Sequence, residues 1–274
     1  MLRTINSVLV EDAAYMYHRL KFRLGDGRRY RPAPVLVNGS PKTGTTWMLY
    51  MIASIPGYTI VGNFDRNIER YASVQPGDVV HGHDWYKDGL PALIAEKQIK
   101  VILMIRDPRD QLVSRMFHIK RSARHGWHER FLEMGDDEAL MLCIEGRDDL
   151  PGMQAMINLT RTWLDGEAPM ITIRYEALLA EPLRHFQRVI KYLGIEGEGL
   201  AEIIVQRNRF ERQSVGWRIW QRQRQPGQED ASSHLRKGIT GDWQNYLTED
   251  HRQRIMELVG EDLIWLGYEQ SLEW

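Results

Sequence analysis

The sequence predicts an α/β fold: a single domain with a central parallel sheet flanked by helices. Two observations carry this. Short apolar runs at 34–38, 78–81, 100–106 and 170–175 read as strands, and helix-compatible stretches at 46–55, 89–96, 109–123, 153–164 and 181–193 lie between and after them. Alternating strands and helices assemble into a parallel sheet with helices on its faces. The first run, Val35 to Asn38, passes directly into a Gly/Ser/Pro/Thr turn and then into an apolar helical stretch from Met48 to Ile55.

Taken in order, residues 5–24 read as an amphipathic helix with Val8, Ala13, Tyr15, Met16 and Leu20 on its apolar side. Residues 1–30 are therefore expected to form a helical segment packed on a domain of 31–270. Pro108 is well placed to open the helix after the third strand, and Gly194 ends the one that begins at Glu181-Pro182. From Gln206 to Gln225 the composition changes, with Arg207, Arg209, Arg212, Arg218, Arg222 and Arg224 interleaved with Gln, Trp217 and Trp220. The chain then turns Gly/Asp/Ser-rich as far as Ser233. This reads as a long surface segment and not a domain linker, because a motif resumes directly after it.

Composition sets limits on function. With 43% hydrophobic and 27% charged residues, the 274-residue chain is ordinary for a globular protein. A formal net charge of −1 provides no bulk field for nucleic acid or an anionic membrane, so an anionic ligand must be held by locally placed cations. Cys143 is the only cysteine, which suits a reducing cytoplasm. Charged residues interrupt the N-terminal segment, so neither a signal peptide nor a membrane anchor is expected.

The turn at Gly39-Ser40-Pro41-Lys42-Thr43-Gly44-Thr45-Thr46 directs backbone N–H groups, hydroxyls and a helix N-terminus at one point, which makes an anion site. It nearly matches the nucleoside-triphosphate loop G-x-x-x-x-G-K-[ST]. Gly39 and Gly44 have the right spacing, but Thr45 stands where the lysine belongs and Lys42 lies inside the loop. That shift argues against ordinary ATP or GTP chemistry and for a differently charged phosphate donor.

Further segments carry the same theme. Arg106 ends a strand and Ser114 follows eight residues later on the next helix; a guanidinium and a hydroxyl so placed can grip one phosphate. The competing interpretation is a surface ion pair of Arg106 with Asp107 or Asp110. In Arg236-Lys237-Gly238-Ile239-Thr240-Gly241-Asp242-Trp243, two adjacent cations sit beside glycines that permit close backbone approach; a solvated turn is the alternative. Tyr175-Glu176 ends another strand, and taken singly Trp47, Tyr175 and Phe210 read as core aromatics.

Together, Pro41-Lys42-x-Gly44-Thr45-Thr46-Trp47, Arg106 with Ser114, Tyr175-Glu176 and Arg236-Lys237-Gly238-x-x-Gly241-Asp242-Trp243 resemble, in chain order, the motifs of cytosolic-type sulfotransferases that use 3′-phosphoadenosine 5′-phosphosulfate (PAPS). The resemblance implies a P-loop-like 5′-phosphosulfate loop formed by Lys42, Thr43, Gly44, Thr45, Thr46 and Trp47. It implies a 3′-phosphate site formed by Arg106, Ser114, Arg236, Lys237 and Gly238, and an adenine site at Trp47, Tyr175 and Phe210. His83 in His81-Gly82-His83 takes the place of the family's catalytic His, and a His with a pKa near 6.5 suits general-base work. His81 stands where the family carries Lys.

The expected reaction is transfer of a sulfuryl group from PAPS to a hydroxyl, or less readily an amine, releasing adenosine 3′,5′-bisphosphate. Lys42 and the loop amides would stabilise the leaving group, with no metal required. A nucleotide kinase or a non-catalytic nucleotide-binding scaffold are the alternatives. The acceptor is expected to be a small molecule, a lipid-like alcohol or a glycan, not nucleic acid. The family's dimer motif, Lys-x-x-x-Thr-Val-x-x-x-Glu, retains only Thr248 at 244–253, so no oligomeric state is inferred.

Overall fold

The computed structural model describes residues 32–64, 67–197, 199–213, 224–230, 233 and 235–274. The N-terminal helix expected at 5–24 and half of the Arg/Trp-rich stretch, 214–223 with Trp217 and Trp220, lie outside these. Five strands, β1 (Val35–Asn38), β2 (Thr59–Asn63), β3 (Asp78–Gly82), β4 (Lys100–Ile105) and β5 (Met170–Arg174), form one sheet of order β2-β3-β1-β4-β5. All its pairings are parallel. The four expected strands are present within a residue of their expected ends. β2 is an addition, an edge strand whose pairing with β3 shifts register between Ile60 and Gly62.

Helices α1 (Thr45–Ala53), α2 (Leu90–Glu96), α3 (Pro108–Arg121), α6 (Met153–Leu164) and α8 (Pro182–Leu193) match the expected stretches. Not anticipated were α4 (His128–Glu133), α5 (Asp136–Glu145), α7 (Tyr175–Ala180), α9 (Leu200–Arg207), the short α10 (Phe210–Gln213) and α11 (Glu249–Trp265). The last is opened by a reciprocal cap, in which the Thr248 hydroxyl accepts from the His251 amide and the His251 ring accepts from the Thr248 amide.

The strands alternate between two apolar layers, as the pleat requires. Val35 and Val37 face a cluster with α1, α8 and α9, whereas Leu36, Val80, Leu103 and Ile105 face Tyr71, Ile94 and Trp163. Burial on both faces accounts for the near-continuous apolar strands. A third cluster, built from α3, α4, α5, α6 and α11, extends the helical layer beyond the sheet. The loops after β1, β3 and β4 thus emerge side by side at the carboxyl edge of the central strands, where ligands bind on such sheets.

Candidate active site

The loop after β1 is held in an unusual backbone shape. Gly44 caps α1 with φ of 90°, and a Cβ there would stand 2.7 Å from the Tyr175 ring, so glycine is required on both counts. Lys42 adopts φ of 73° without being glycine, a conformation that costs about 1–3 kcal/mol and tends to occur at functional sites. The Thr43 hydroxyl donates to the Ser40 carbonyl at 2.8 Å, closing the turn. The first amides of α1 have no acceptor within the helix and point outward. Burial, then the charges of Arg121 and Arg106, push the Lys42 ammonium down to about 8. This is a concentrated positive field.

Two histidines face this loop from the end of β3. His83 donates from Nδ1 to the Gly39 carbonyl at 2.6 Å. Because a carbonyl only accepts, that bond assigns the proton to Nδ1 and leaves Nε2 as the basic nitrogen of the neutral ring. His81 bonds through Nε2 to the Thr45 hydroxyl at 2.8 Å, and its ring meets that of His83 edge-on with centroids 4.8 Å apart. Thr45, where a nucleotide kinase needs lysine, is thus a buried partner of His81.

A clasp that the sequence did not advertise fixes the spacing. The Asn38 side chain donates to the Asp84 carbonyl at 3.0 Å and accepts from the Asp84 amide at 2.9 Å. Tyr71 donates to the Asp84 carboxylate at 2.6 Å, and the Trp163 indole to its carbonyl at 2.7 Å. Asn38 and Asp84 flank Gly39 and His83 respectively, so this buried network sets the distance between the loop and the base candidate.

Arg106 joins the loop to the C-terminal segment. It donates to the Lys42 carbonyl and the Ile239 carbonyl, both at 3.3 Å, and its guanidinium lies 4.3 Å from the Tyr175 ring centroid. Asp110 stands 3.7 Å away, so the ion pair considered as an alternative also forms, though loosely. Asp107 instead caps α3 and holds Arg109. Ser114 lies on the second turn of α3, half-buried, and Arg121 follows two turns later on the same side of the helix. Arg121 is a nearby cation that motif matching missed.

The segment 235–243 is docked by charge. Asp110, buried in the first turn of α3, accepts from the amides of Gly241 at 2.8 Å and Trp243 at 3.0 Å. Arg236 pairs with Asp242 and, at 2.6 Å, with Glu229; Lys237 reaches Asp242 at 2.9 Å and Glu229 at 3.4 Å. Burial lowers both basic groups, but the carboxylates and Tyr246 outweigh it and raise them. Gly238, at φ of 64°, leaves no room for a side chain because the Phe210 ring fills the space. The Trp47 indole donates to the Asn208 carbonyl at 2.8 Å and meets Tyr175 edge-on at 6.0 Å. Arg106, Tyr175 and Gly238 tie the β1 loop, the end of β4, the start of α7 and the 235–243 segment together: Arg106 bonds Lys42 and Ile239 and lies over Tyr175, and Phe210 packs against Gly238.

A parallel sheet with an anion-binding loop after its central strand, a histidine facing that loop and a second basic segment define an enzyme of group transfer from an anionic nucleotide. The chain belongs to the sulfotransferase family: the family model described as "Sulfotransferase domain" matches residues 32–266, and the protein is a sulfotransferase enzyme. It is 27% identical over 270 residues to cytosolic sulfotransferase 16 of Arabidopsis thaliana, covering 88% of this chain and 79% of that one. It is 24% identical to a flavonol sulfotransferase-like protein of Flaveria bidentis, covering 86% and 83%. Among solved structures, a mouse sulfotransferase complexed with PAP superposes with a TM-score of 0.62 at 22% identity, covering 85% of each chain. A retinol dehydratase, in complex with androsterone and PAP, gives 0.56 at 16% identity over 85% and 81%. These two likenesses concern the fold.

Proposed function

We propose that the chain transfers the sulfuryl group of PAPS to a hydroxyl on a small organic acceptor. The observation that carries this is the bridge made by Arg106, which ties the Lys42 loop to the 235–243 segment and so sets two anion sites side by side. One suits the 5′-phosphosulfate and the other the 3′-phosphate. The long 3.3 Å bonds of Arg106 are easily exchanged for charge-assisted ones to a phosphate.

In the reaction, His83 Nε2 accepts the acceptor's hydroxyl proton as the oxygen forms its bond to sulfur. The bond from sulfur to the bridging oxygen breaks in line, and that oxygen keeps the electron pair as part of adenosine 3′,5′-bisphosphate. The transition state is loose, as in phosphoryl transfer, so stabilising the leaving charge is the main demand. Lys42 and the amides of Gly44 to Thr46 meet it. Thr43 braces the turn, and Thr45 orients His81. Trp47, Tyr175 and Phe210 hold the adenine; Arg106, Ser114, Arg236, Lys237 and Gly238 hold the 3′-phosphate. Relatives named as cytosolic sulfotransferases, and the lack of any membrane-length apolar helix among the described residues, support a cytoplasmic location.

Calorimetric titration tests the cofactor assignment. Adenosine 3′,5′-bisphosphate is expected to bind at least tenfold more tightly than adenosine 5′-phosphate, since each charge-assisted contact is worth about 1.5–3 kcal/mol. Equal affinities would refute a dedicated 3′-phosphate site.

A further inference from the structure

Gln111 lies in the first turn of α3, buried directly behind Arg106. Its Nε2 donates to the Arg106 carbonyl at 2.7 Å. That bond fixes the orientation of the amide, because the reversed group would set its oxygen against a carbonyl. The Oε1 atom is left buried with no protein partner, and so is Nε of Arg106. Both residues line the same void of about 10 Å³, which Thr160, Met156, Ile157 and Leu266 help to close. Buried polar atoms without partners are rare, and these two belong to residues that line one small void.

We propose that Gln111 is a positioning residue for Arg106, acting through its bond to the Arg106 carbonyl and through one buried water in the void between them. The water accepts from Arg106 Nε–H and donates to Gln111 Oε1. Its second hydrogen faces the Thr160 hydroxyl, whose own bond to Met156 is long at 3.5 Å. The space is about that of a single water, and two to four polar partners are what such a water needs. The consequence is directional. Held at Nε from behind and stacked on Tyr175 at 4.3 Å, the guanidinium presents Nη1 and Nη2 to the side where the Lys42 and Ile239 carbonyls lie. Freed from this anchor, it would sample other rotamers and meet a phosphate with fewer aligned donors.

The inference rests on Arg106 being a 3′-phosphate residue, and the test separates the two ideas. Gln111→Leu removes both polar functions at similar volume. It is expected to weaken adenosine 3′,5′-bisphosphate binding about tenfold, the worth of one hydrogen bond, and to leave adenosine 5′-phosphate unchanged. Arg106→Ala, titrated alongside, is expected to show the same selectivity at larger amplitude. If Arg106→Ala discriminates and Gln111→Leu matches wild type, or weakens both nucleotides equally, Gln111 is only a packing residue and the inference is overturned. If Arg106→Ala fails to discriminate, the 3′-phosphate assignment falls and this inference with it. A high-resolution crystal structure of the wild-type protein decides the matter even should Gln111→Leu fail to fold. One water within hydrogen-bond reach of both atoms is expected there, and an empty void or a direct contact between the two side chains would overturn the bridge.

Discussion

The two regions proposed to hold the nucleotide's anionic groups are built by different means. The Lys42 loop is a backbone device: it leaves the central strand, turns through residues with positive φ and enters α1, and buried hydrogen bonds between Asn38 and Asp84 hold it against His83. The 235–243 segment has no strand behind it. Carboxylates hold it instead, with Asp110 gripping two amides, and Asp242 and Glu229 gripping Arg236 and Lys237. The first region is preorganised by covalent geometry and core packing. The second is preorganised by charges that an incoming phosphate must share. The loop should therefore govern chemistry, and the charged segment should govern 3′-phosphate affinity and its response to salt.

The sharpest separation is expected at His83. His83→Ala should lower turnover by about 10²–10⁴, the usual worth of a general base, while nucleotide affinity by calorimetry stays near wild type. His81→Ala, measured on the same acceptor, should cost less, because its nitrogen is engaged with Thr45. The reverse ranking would move the base by two residues and leave the fold and nucleotide site intact.

On the charged side, Asp110→Asn is the strongest probe. The carboxylate accepts from two amides, whereas an amide side chain offers one acceptor atom and sets N–H against N–H at the other. Loss of a charge-assisted bond of about 1.5–3 kcal/mol should weaken adenosine 3′,5′-bisphosphate about ten- to a hundredfold. Turnover at saturating cofactor should change little. A fall in saturated turnover as large as that of His83→Ala would mean that the two regions are not separable.

Lys42 links the regions through pH. Its folded pKa is depressed to about 8, first by burial and then by Arg121 and Arg106. Below that value it is protonated, the form that the proposed role at the phosphosulfate requires. Above it, the free protein must take up a proton to bind, so affinity should fall by up to tenfold per pH unit. The same depression makes the folded state gain stability as pH rises from about 8 towards the ordinary lysine range, since the unfolded chain then holds more protons. Titrations at pH 7, 8 and 9 check the binding arm, and Lys42→Arg should flatten the profile. A flat wild-type profile would show that Lys42 does not meet the anion.

This contrast also explains what the sequence disclosed. β1 and β4 are buried on both faces, and β3 and the half-buried β5 carry short apolar runs beside them, so these four strands were legible. The edge strand β2 was not: its residues alternate between exposed and half-buried, and Gly62 sits at a register shift. Helix α11 was missed because its buried positions are few, His251, Ile255, Val259, Gly260 and Leu263, and a non-helical Val259 breaks its period. Residues of the loop and of the Arg236 segment were found by local motif. Asn38 and Asp84 were not, because they pair with each other across 46 residues, and Gln111 and Arg121 were not, because their residue types carry no signature alone. Asp110 was seen only as a possible partner of Arg106, whereas its main task is to hold two amides 131 and 133 residues away.

The smallest expected effect probes the competition within the charged segment. Glu229 lies at the rim, with a side chain 35% exposed, and pairs with both Arg236 and Lys237. Burial would raise its pKa, but bonds and charge from Arg236 and Lys237, with a bond from Tyr246, prevail and hold it below the usual carboxylate range. In the unliganded protein this carboxylate neutralises the cations that a 3′-phosphate should meet. Asp242, the other partner, is buried and continues to position both cations when Glu229 is changed. Glu229→Gln should therefore remove a competitor without releasing the segment. An exposed ion pair is worth about 0.2–1 kcal/mol, so adenosine 3′,5′-bisphosphate should bind up to about fivefold more tightly. The gain should shrink in high salt, where exposed charges are screened. A loss of affinity in calorimetry would show that Glu229 orients Arg236 and Lys237 instead of competing for them, and that the segment depends on its rim as well as on Asp110 and Asp242.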